Sequence, residues 1–552
     1  MRETKARNPE AGYPKAKRFW VKGVRRMLAL LCCICMLPIG NMQVQAKDAG
    51  TAISVGIDVS RYQGDINWAA VAASGVQYAF VRVGSVRYGV DAKYDQNMRQ
   101  AAANGVKTGV YIYSYATTPQ EAAAEAVFVL QAISNYTISM PVAIDIEDSV
   151  QKTLSPAQIA EIANTFCAII ENAGYYPIVY GSKNWYLNYI GPIAYDKWVA
   201  QYNTSCDIED AAFWQSSSKG VVPGIAGDVD IDYQYKDLSA SIVGNGFAFR
   251  KGFYYFYENY KMKTNTLVQY GGGVYYVDAL GRRVSGFAQL GDSIYFFNAD
   301  GLMQFGWQEL AGNIYYFGTE GKMAIGMQQI GNSVYLFDPN GCMYTGWLSA
   351  DSLFYFYEDG HMAIGLSAIG PDLYYFNENG CLQVGWQNLG GQLYYFDPAD
   401  AKMAFGFIND GTGIYYTNEN GQMQTGLIAV GNDIYYMGTD GRMQIGMQNI
   451  GGEMYFFNAE GKRQTGFVSD GVSIYYFDPV TGAMTKGWAA INGSMYCFDP
   501  ATGHMYAGLQ EIGGALYLFE ADGRLVVNQQ IEAGGMLYVS DANGCVTVIP
   551  LQ

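Results

Sequence analysis

From Thr51 to Asp237, short apolar runs alternate with amphipathic stretches. "ISVGIDVS", "YAFVRVGS", "KTGVYIYSY", "MPVAIDIED" and "YPIVYGS" read as strands. "NWAAVAASG", "YDQNMRQAAANG", "TPQEAAAEAVFVLQAI" and "SPAQIAEIANTFCAIIENAG" read as helices, with Pro119 near the start of the third and Ser155 capping the fourth. Repeated strand–helix alternation predicts an α/β unit on a parallel sheet, open or closed into a barrel. The later segments "KWVAQY", "AAFWQSS" and "DVDIDYQY" follow with little helix between them, so a regular eightfold barrel is not expected.

Beyond Gly246 the pattern changes. A period of roughly twenty residues runs to the end of the chain in about fourteen units, as in "GWQELAGNIYYFGTEGKMAIG" and "GMQNIGGEMYFFNAEGKRQTG". Each has a Gly with a large apolar residue, a Gly-containing turn, an aromatic strand, a polar turn, a Met and a closing Gly. Gly and Asn/Asp clusters between short aromatic runs predict β-hairpins. A lone hairpin is marginal in water, so the units are expected to stack into an all-β solenoid. The expected organisation is a first domain over 51–237, a linker over 238–246 and repeats over 247–552.

The N-terminus reads as an export signal. Lys15, Lys17, Arg18, Lys22, Arg25 and Arg26 precede the apolar "MLALLCCICMLPIG", and "VQA" ending at Ala46 is a small-residue cleavage site. The apolar run is short for a bilayer span, so a secreted chain with no membrane attachment after cleavage is expected. The first 46 residues hold nine of the 34 Lys and Arg and two of the 50 Asp and Glu, which leaves 25 basic against 48 acidic residues, a net charge of −23. Such a chain is repelled by phosphate backbones, which argues against nucleic acid and anionic membranes as partners. The six remaining cysteines, Cys167, Cys206, Cys342, Cys381, Cys497 and Cys545, are far apart with no CxxC, and both histidines, His361 and His504, lie in the repeats. No metal, cofactor or histidine-based triad is therefore expected in the first domain.

What the first domain does carry is acid at its strand ends. Asp58 follows "SVGI", Asp145 and Glu147 follow "PVAI", and Asp230 lies in "GDVDID". Alternation along a strand puts Asp145 and Glu147 on one face and turns Asp148 away as an ordinary solvated acid. A single Asp at a strand end is an ordinary helix cap, and these acids can also pair with Arg61 and Arg82. Four acids at three strand ends of a parallel barrel instead meet at one rim, where like charges repel. Paired carboxylates without His or Cys are the equipment of glycoside hydrolysis. Tyr113, Tyr180, Trp198, Tyr202 and Trp214 near strand ends are candidates to stack on sugar faces, with core packing as the alternative for each.

Taken together, "GIDVSRYQGDINW", "GVYIYSYA", "PVAIDIEDS", "VYGS", "KWVAQY" and "FWQSSS…VPGIAGDVDID" resemble the family 25 glycoside hydrolases, the Chalaropsis-type lysozymes, over about Ile53 to Tyr233. The resemblance implies a modified TIM-like β/α barrel that cleaves the β-1,4 bond between N-acetylmuramic acid and N-acetylglucosamine in peptidoglycan glycan strands. It implies Glu147 as general acid, Asp145 as the group that orients the substrate's 2-acetamido group, and Asp58 and Asp230 as assisting acids; Gln215 of "FWQSSS" joins the substrate-binding candidates. The chain departs from the family pattern at Ile112, where a His is frequent, and at Asp232, where an Asn is frequent. A non-catalytic wall-bound adhesin or scaffold, and an enzyme acting on another acetylated polysaccharide such as chitin, are the alternative readings.

The repeats resemble choline-binding-type cell-wall repeats, which implies attachment to a wall polymer such as teichoic acid, with quaternary ammonium held between aromatic rings. The aromatic after Gly is kept at Trp307, Trp347, Trp386 and Trp488, the expected wall-ligand residues, and is replaced by Phe287, Phe407 and Phe467 or by aliphatic residues elsewhere. The first Trp of the family's aromatic strand is aliphatic at Ile294, Ile314, Val334 and most equivalents. Many units therefore read as spacers, and in any one unit the tyrosines are either solenoid core or ligand walls.

Overall fold

The computed structural model describes residues 47–551, so the expected export signal over 1–46 lies outside the described residues. The described chain gathers into two compact units. The first runs through Ala288 and takes in Phe297–Met303; the second comprises Gln289–Phe296 and the chain from Gln304 onward. No helix among the described residues is long and apolar enough to cross a membrane. Cys167, Cys206, Cys342, Cys381, Cys497 and Cys545 are all free thiols.

The first unit opens with β1 (Ser54–Val59), α1 (Trp68–Ala73), β2 (Tyr78–Ser85), β3 (Gly89–Val90), α2 (Tyr94–Ala103), β4 (Lys107–Tyr113), α3 (Pro119–Ile133), β5 (Val142–Asp145), α4 (Pro156–Asn172), β6 (Pro177–Ser182), α5 (Lys183–Asn188), β7 (Asp196–Ala200), β8 (Ala211–Gly220) and β9 (Val229–Gln234). Sheet order β1-β9-β8-β7-β6-β5-β4-β2 with a further β1–β2 pairing closes an eight-stranded barrel, and β3 is a short addition to the edge of β2. Seven strands run parallel, whereas β9 runs antiparallel to both β8 and β1. The closure is thus eightfold but irregular. The connection from Gly220 to Val229 is too short for a crossover helix, and a parallel strand needs one.

Alternation along the strands divides the core. Ile57 and Val59, Val81 and Val83, Val110 and Ile112, Val142 and Ile144 face the helices, where α3 and α4 bury Val129, Ile133, Ile159, Phe166 and Ile170. Tyr78, Phe80, Ala143, Ile178, Trp198 and Phe213 face inward and fill the lower barrel. Phe80 stacks on Trp198 at 4.3 Å and meets Phe213 edge-on at 5.4 Å. Gly109 on β4 leaves room for that layer, since a Cβ there would lie 2.7 Å from the Phe80 ring and 2.6 Å from the Pro141 carbonyl. Strands filled with side chains at the bottom leave their carboxyl ends as the mouth.

The segment expected as a linker is partly core: Leu238 is buried with Met140 and Phe213. A first hairpin sheet, Asn245–Arg250 with Phe253–Glu258 and Lys261–Met262, follows at once. Arg250 Nη1 donates to the carbonyls of Gly174 (3.2 Å) and Tyr175 (3.3 Å), and the Tyr257 hydroxyl donates to Gly174 O at 2.8 Å. These donors satisfy carbonyls in the turn after α4, groups a helix end leaves unpaired.

In the second unit the chain is a succession of short antiparallel hairpins, such as Gly306–Leu310 with Asn313–Phe317, in register Trp307↔Tyr316. The last residue of the aromatic strand is the most deeply buried: Phe317, Phe337, Phe376, Phe396 and Phe477 are fully enclosed. The recurring Met joins neighbours. The Met323 N–H donates to Ile294 O of the preceding hairpin at 2.8 Å, Met343 does the same to Ile314 O, and Met423 to Leu393 O. The Met323 thioether packs on Gly341 of the following turn, a position with φ +81° where a Cβ would also clash with that sulfur.

Candidate active site

Four inward strand positions bring acids to the barrel mouth: Asp58 on β1, Asp145 at the end of β5, and Asp230 and Asp232 on β9. Asp58 lies directly opposite Asp230 in the β1–β9 register. Glu147 follows two residues after Asp145, separated by the buried Ile146. Asp58, Asp145 and Asp232 are buried; Glu147 and Asp230 are half-buried and open to the mouth.

A hydrogen-bond web fixes this set. Gln215 Nε2 donates to Asp58 Oδ2 at 2.7 Å, while its Oε1 accepts from the hydroxyls of Tyr180 (2.9 Å) and Tyr202 (3.0 Å). Trp198 Nε1 donates to Asp232 Oδ1 at 2.8 Å. Asp232 Oδ2 and Asp145 Oδ1 are buried with no hydrogen-bond partner. Tyr113 donates to Asp148 Oδ2 at 3.2 Å, and Asp148 Oδ1 accepts Val150 N–H at 2.9 Å, so it caps the 3₁₀ turn Ser149–Thr153. Beneath that turn, the buried Glu125 of α3 accepts from Ser114 Oγ (2.7 Å) and Tyr115 N–H (2.9 Å).

Crowding and burial push these acids toward their protonated forms. Burial raises Glu147, and the charges of Asp230 and Asp148 add to it. Asp145 is raised by burial and then by Glu147, against the opposing pull of the Arg82 guanidinium. Asp58 is raised by burial and by Asp232 and Asp230, with the Gln215 amide working the other way. Burial also raises Asp232, and it pushes Asp230 up to about 6. A carboxyl biased toward its protonated form thus sits at the mouth among further acids, the kind of carboxyl grouping that glycosidic cleavage uses.

The structure brings Glu147, Asp145, Asp58, Asp230, Gln215, Tyr113, Tyr180 and Tyr202 together. It removes two stacking candidates. Trp198 is 1% exposed, locked in the lower layer, and serves as a donor to Asp232; Trp214 is also 1% exposed and points out of the barrel, where it packs on Tyr233 and donates to Gln201 O. Inward and outward positions alternate on β8, so with Gln215 facing Asp58, Trp214 faces away. Asp148 does not point into solvent as expected, because β5 ends at Asp145 and alternation no longer applies beyond it. Asp232, Arg82 and Glu125 belong to the site without having stood out in the sequence as part of it. Period-two spacing from Asp230 was the available signal for Asp232; Glu125 carries none beyond its place in an amphipathic helix.

In the repeats, five of the large rings after Gly meet two tyrosines, one across the ring's own hairpin and one from the next. Trp307 lies 5.0 Å from Tyr316 and 4.9 Å from Tyr335; Trp347 lies 5.0 Å from Tyr355 and 5.3 Å from Tyr374; Trp386 lies 4.9 Å from Tyr395 and 5.0 Å from Tyr415. Phe407 and Phe467 have the same two-tyrosine surroundings. Trp488 does not: its cross-strand partner is Cys497, which leaves it Tyr517 and the buried Phe519. Trp307, Trp347, Phe407 and Phe467 stay 40–44% exposed. The second wall comes from the neighbouring unit, so a missing first Trp within one unit does not by itself leave a ring alone.

Comparison with known proteins places the barrel. The family model for glycosyl hydrolases family 25 matches residues 57–225. The protein YegX of Escherichia coli, itself uncharacterized, is 30% identical over 188 residues, 32% of this chain and 68% of that one. The chain belongs to glycosyl hydrolase family 25. The autolytic lysozyme of Clostridium acetobutylicum is 29% identical over 181 residues, 32% of this chain, and the chain spans 54% of that protein's length. Outside the family 25 barrel, a choline-binding repeat model matches residues 444–486, and a cell wall binding repeat model matches 306–323 and 384–398. A solved pneumococcal cell wall endolysin from phage Cp-1, complexed with choline, is 19% identical and covers 61% of this chain and 95% of its own, with a TM-score of 0.29.

Proposed function

We propose that this family 25 protein is a secreted peptidoglycan hydrolase, an N-acetylmuramidase that cleaves the β-1,4 bond between N-acetylmuramic acid and N-acetylglucosamine. The observation that carries the reading is the half-buried Glu147, held toward its protonated form at a mouth lined by four further acids. Glu147 donates its proton to the glycosidic oxygen as the bond breaks. Asp145, deeper and beside it, accepts the N–H of the substrate's 2-acetamido group and so directs that group's oxygen at the anomeric carbon. Asp58 and Asp230 stabilise the oxocarbenium-like charge. Digestion of purified peptidoglycan tests this. New reducing ends on N-acetylmuramic acid, identified by mass spectrometry, are the expected product; reducing N-acetylglucosamine, or no cleavage, overturns it.

The domain plan that goes with this reading is an export signal over 1–46, a catalytic barrel over 51–237 and a wall-binding solenoid over 247–552. Contacts that pass from each hairpin to the next support the solenoid. The ring-and-two-tyrosine faces suit a quaternary ammonium group on a wall polymer such as teichoic acid, and many weak faces on one chain raise apparent affinity together. Millimolar free choline is expected to release the full-length protein from choline-bearing walls. Continued binding in choline would assign the repeats to a different polymer.

A further inference from the structure

We propose that the barrel mouth carries a second, cationic subsite, built from Arg61, Arg82 and Arg87 on a platform of tyrosines, which takes a carboxylate borne by the muramic acid side of the glycan. The proposal rests on the muramidase reading and names the part of the substrate that reading leaves unspecified.

The barrel region 51–237 holds four arginines. Arg99 pairs with Asp95 on the outside of α2 at 2.6 Å. The other three form no ion pair among the described residues, and all three lie at the carboxyl ends of neighbouring strands. Arg61 follows β1, Arg82 points inward from β2, and Arg87 sits in the turn between β2 and β3. In a chain where acids outnumber bases this heavily, unneutralised arginines gathered beside a carboxylate site are not a by-product of composition.

The rings that hold Arg82 and Arg87 form a continuous surface, and Arg61 has a ring of its own. Arg82 lies over Tyr113 at 5.3 Å, Tyr113 meets Tyr115 at 5.2 Å, and Tyr115 meets Tyr88 at 5.8 Å. Arg87 lies over both Tyr88 (5.4 Å) and Tyr115 (5.5 Å), and Arg61 lies over Tyr62 at 5.3 Å. Tyr62 and Tyr88 are 72% and 69% exposed, so they do not pack a core. Arg82 Nε is buried with no hydrogen-bond partner.

The acids near this surface are engaged elsewhere. Asp91 accepts the Arg61 backbone N–H, not its guanidinium (3.3 Å). Asp148 caps its turn and accepts Tyr113. Glu147 and Asp145 are the reacting pair, and Arg82 acts on Asp145 as an opposing charge without an ion pair. Stacked guanidinium groups can turn their forked N–H edges to a planar carboxylate, although Arg61 Nη2 also donates to the Tyr62 hydroxyl at 3.5 Å. A neutral sugar needs no such fork. An acidic glycan, repelled by the rest of this chain, does. The carboxylate is that of the 3-O-lactyl group on glycan without stem peptides, or of the stem peptide attached there.

The test uses the full chain with Arg61→Ala, Arg87→Ala and Arg87→Lys. The probes are peptidoglycan tetrasaccharides with the lactyl group as free carboxylate, as neutral carboxamide, or carrying a stem peptide. Removal of either exposed arginine is expected to raise KM about tenfold on a carboxylate-bearing probe, equivalent to about 1.4 kcal/mol, with kcat unchanged. Arg87→Lys should fall between, and the carboxamide probe should be indifferent to all three. An effect confined to the free-acid probe assigns the lactyl source; one confined to the peptide probe assigns the stem. Equal KM changes on charged and neutral probes, or none, overturn the subsite. Calorimetric binding of the same probes to Glu147→Gln protein separates the two readings. Arginine-dependent, charge-dependent binding without cleavage by the wild-type chain would sink the hydrolase and keep the subsite. Cleavage with charge-blind binding would do the reverse.

Discussion

At the barrel mouth, Asp58, Asp145 and Asp232 are buried beside one another and hold their protons well above the usual carboxylate range. In the hairpin turns, Asp470, Asp478 and Asp499 sit in water, accept N–H groups from the next residues of the turn, and are held below that range. The residue type is the same. What differs is what surrounds the charge: apolar wall and other acids in one region, oriented donors and solvent in the other. Acids that cost stability are kept where chemistry needs them, whereas acids that add stability sit in some of the hairpin turns.

The largest expected effect breaks the barrel half of this contrast. Glu147→Gln keeps the shape of the side chain but has no proton to deliver, so turnover should fall by about 10²–10⁴-fold. Release of reducing ends from peptidoglycan measures it, with circular dichroism to show an intact fold. Activity of the wild-type chain should also decline as pH rises through the raised range of Glu147, because only its protonated form donates. A variant that keeps more than about a tenth of wild-type turnover would move the general acid elsewhere.

Truncation asks where the first kind of structure ends. By its strand–helix pattern the barrel is complete before Gly246, and a chain stopped there is expected from sequence to fold. The structure adds the Arg250 and Tyr257 donors to the turn after α4, and an ion pair of Lys251 with Glu171 at 2.6 Å. A fragment ending at Val243 should therefore unfold more readily than one ending at Asn265, by about 2–4 kcal/mol for the lost buried hydrogen bonds and apolar contact. Identical denaturant midpoints would show that the first hairpin is only a passenger.

The two regions also differ in how much of them could be read without coordinates. Strand and helix positions in the barrel followed from periodicity, and the acids at Asp58, Asp145, Glu147 and Asp230 from their places at strand ends. What escaped was set by geometry that periodicity does not encode. Trp198 and Trp214 looked like sugar platforms, but one lies a layer too deep and the other on the wrong face of β8. Arg82 joins the mouth only because β2 lies between β1 and β4 in the closed barrel. In the repeats, the hairpins and their Met were visible, but the partner ring for Trp307 sits some thirty positions on, at Tyr335, so inspection of single units undercounted the walls.

Asp232→Asn sharpens the contrast by removing one crowded acid. Its native pKa is raised above the unfolded value, so the native state holds a proton that the unfolded chain has released. Stability from this group is greatest below the ordinary carboxylate range and falls as pH rises toward the native value. Asparagine keeps an acceptor for Trp198 and offers an N–H where Oδ2 has no partner. The variant should be more stable at pH 7, since asparagine has no proton affinity that differs between the folded and unfolded chain. Its melting temperature should depend less on pH above the ordinary carboxylate range, where the native acid keeps a proton that the unfolded chain has released. A melting curve as steep in pH as the wild type would show that Asp232 does not carry the burden.

The smallest expected effect lies in a turn. Asp499 accepts N–H from Ala501 (2.9 Å) and Thr502 (2.7 Å) and hydroxyls from Thr502 (2.9 Å) and Tyr506 (2.8 Å), and these donors lower its pKa to about 2. Here the sign is reversed. The unfolded chain binds the proton first, so the stabilisation is complete above the ordinary carboxylate range and is lost as pH falls toward 2. Because the group is only partly buried, solvent screens much of it. Asp499→Ala should lower the melting temperature of the repeats slightly at pH 7, and that difference should disappear near pH 2, while the barrel transition stays where it was. Hydrogen exchange should quicken at the amides of Ala501 and Thr502, which lose their acceptor. If Asp499→Ala instead destabilised the repeats equally at pH 2 and pH 7, the turn would depend on packing by the side chain and not on its charge, and the opposition between the two regions would fail at this residue.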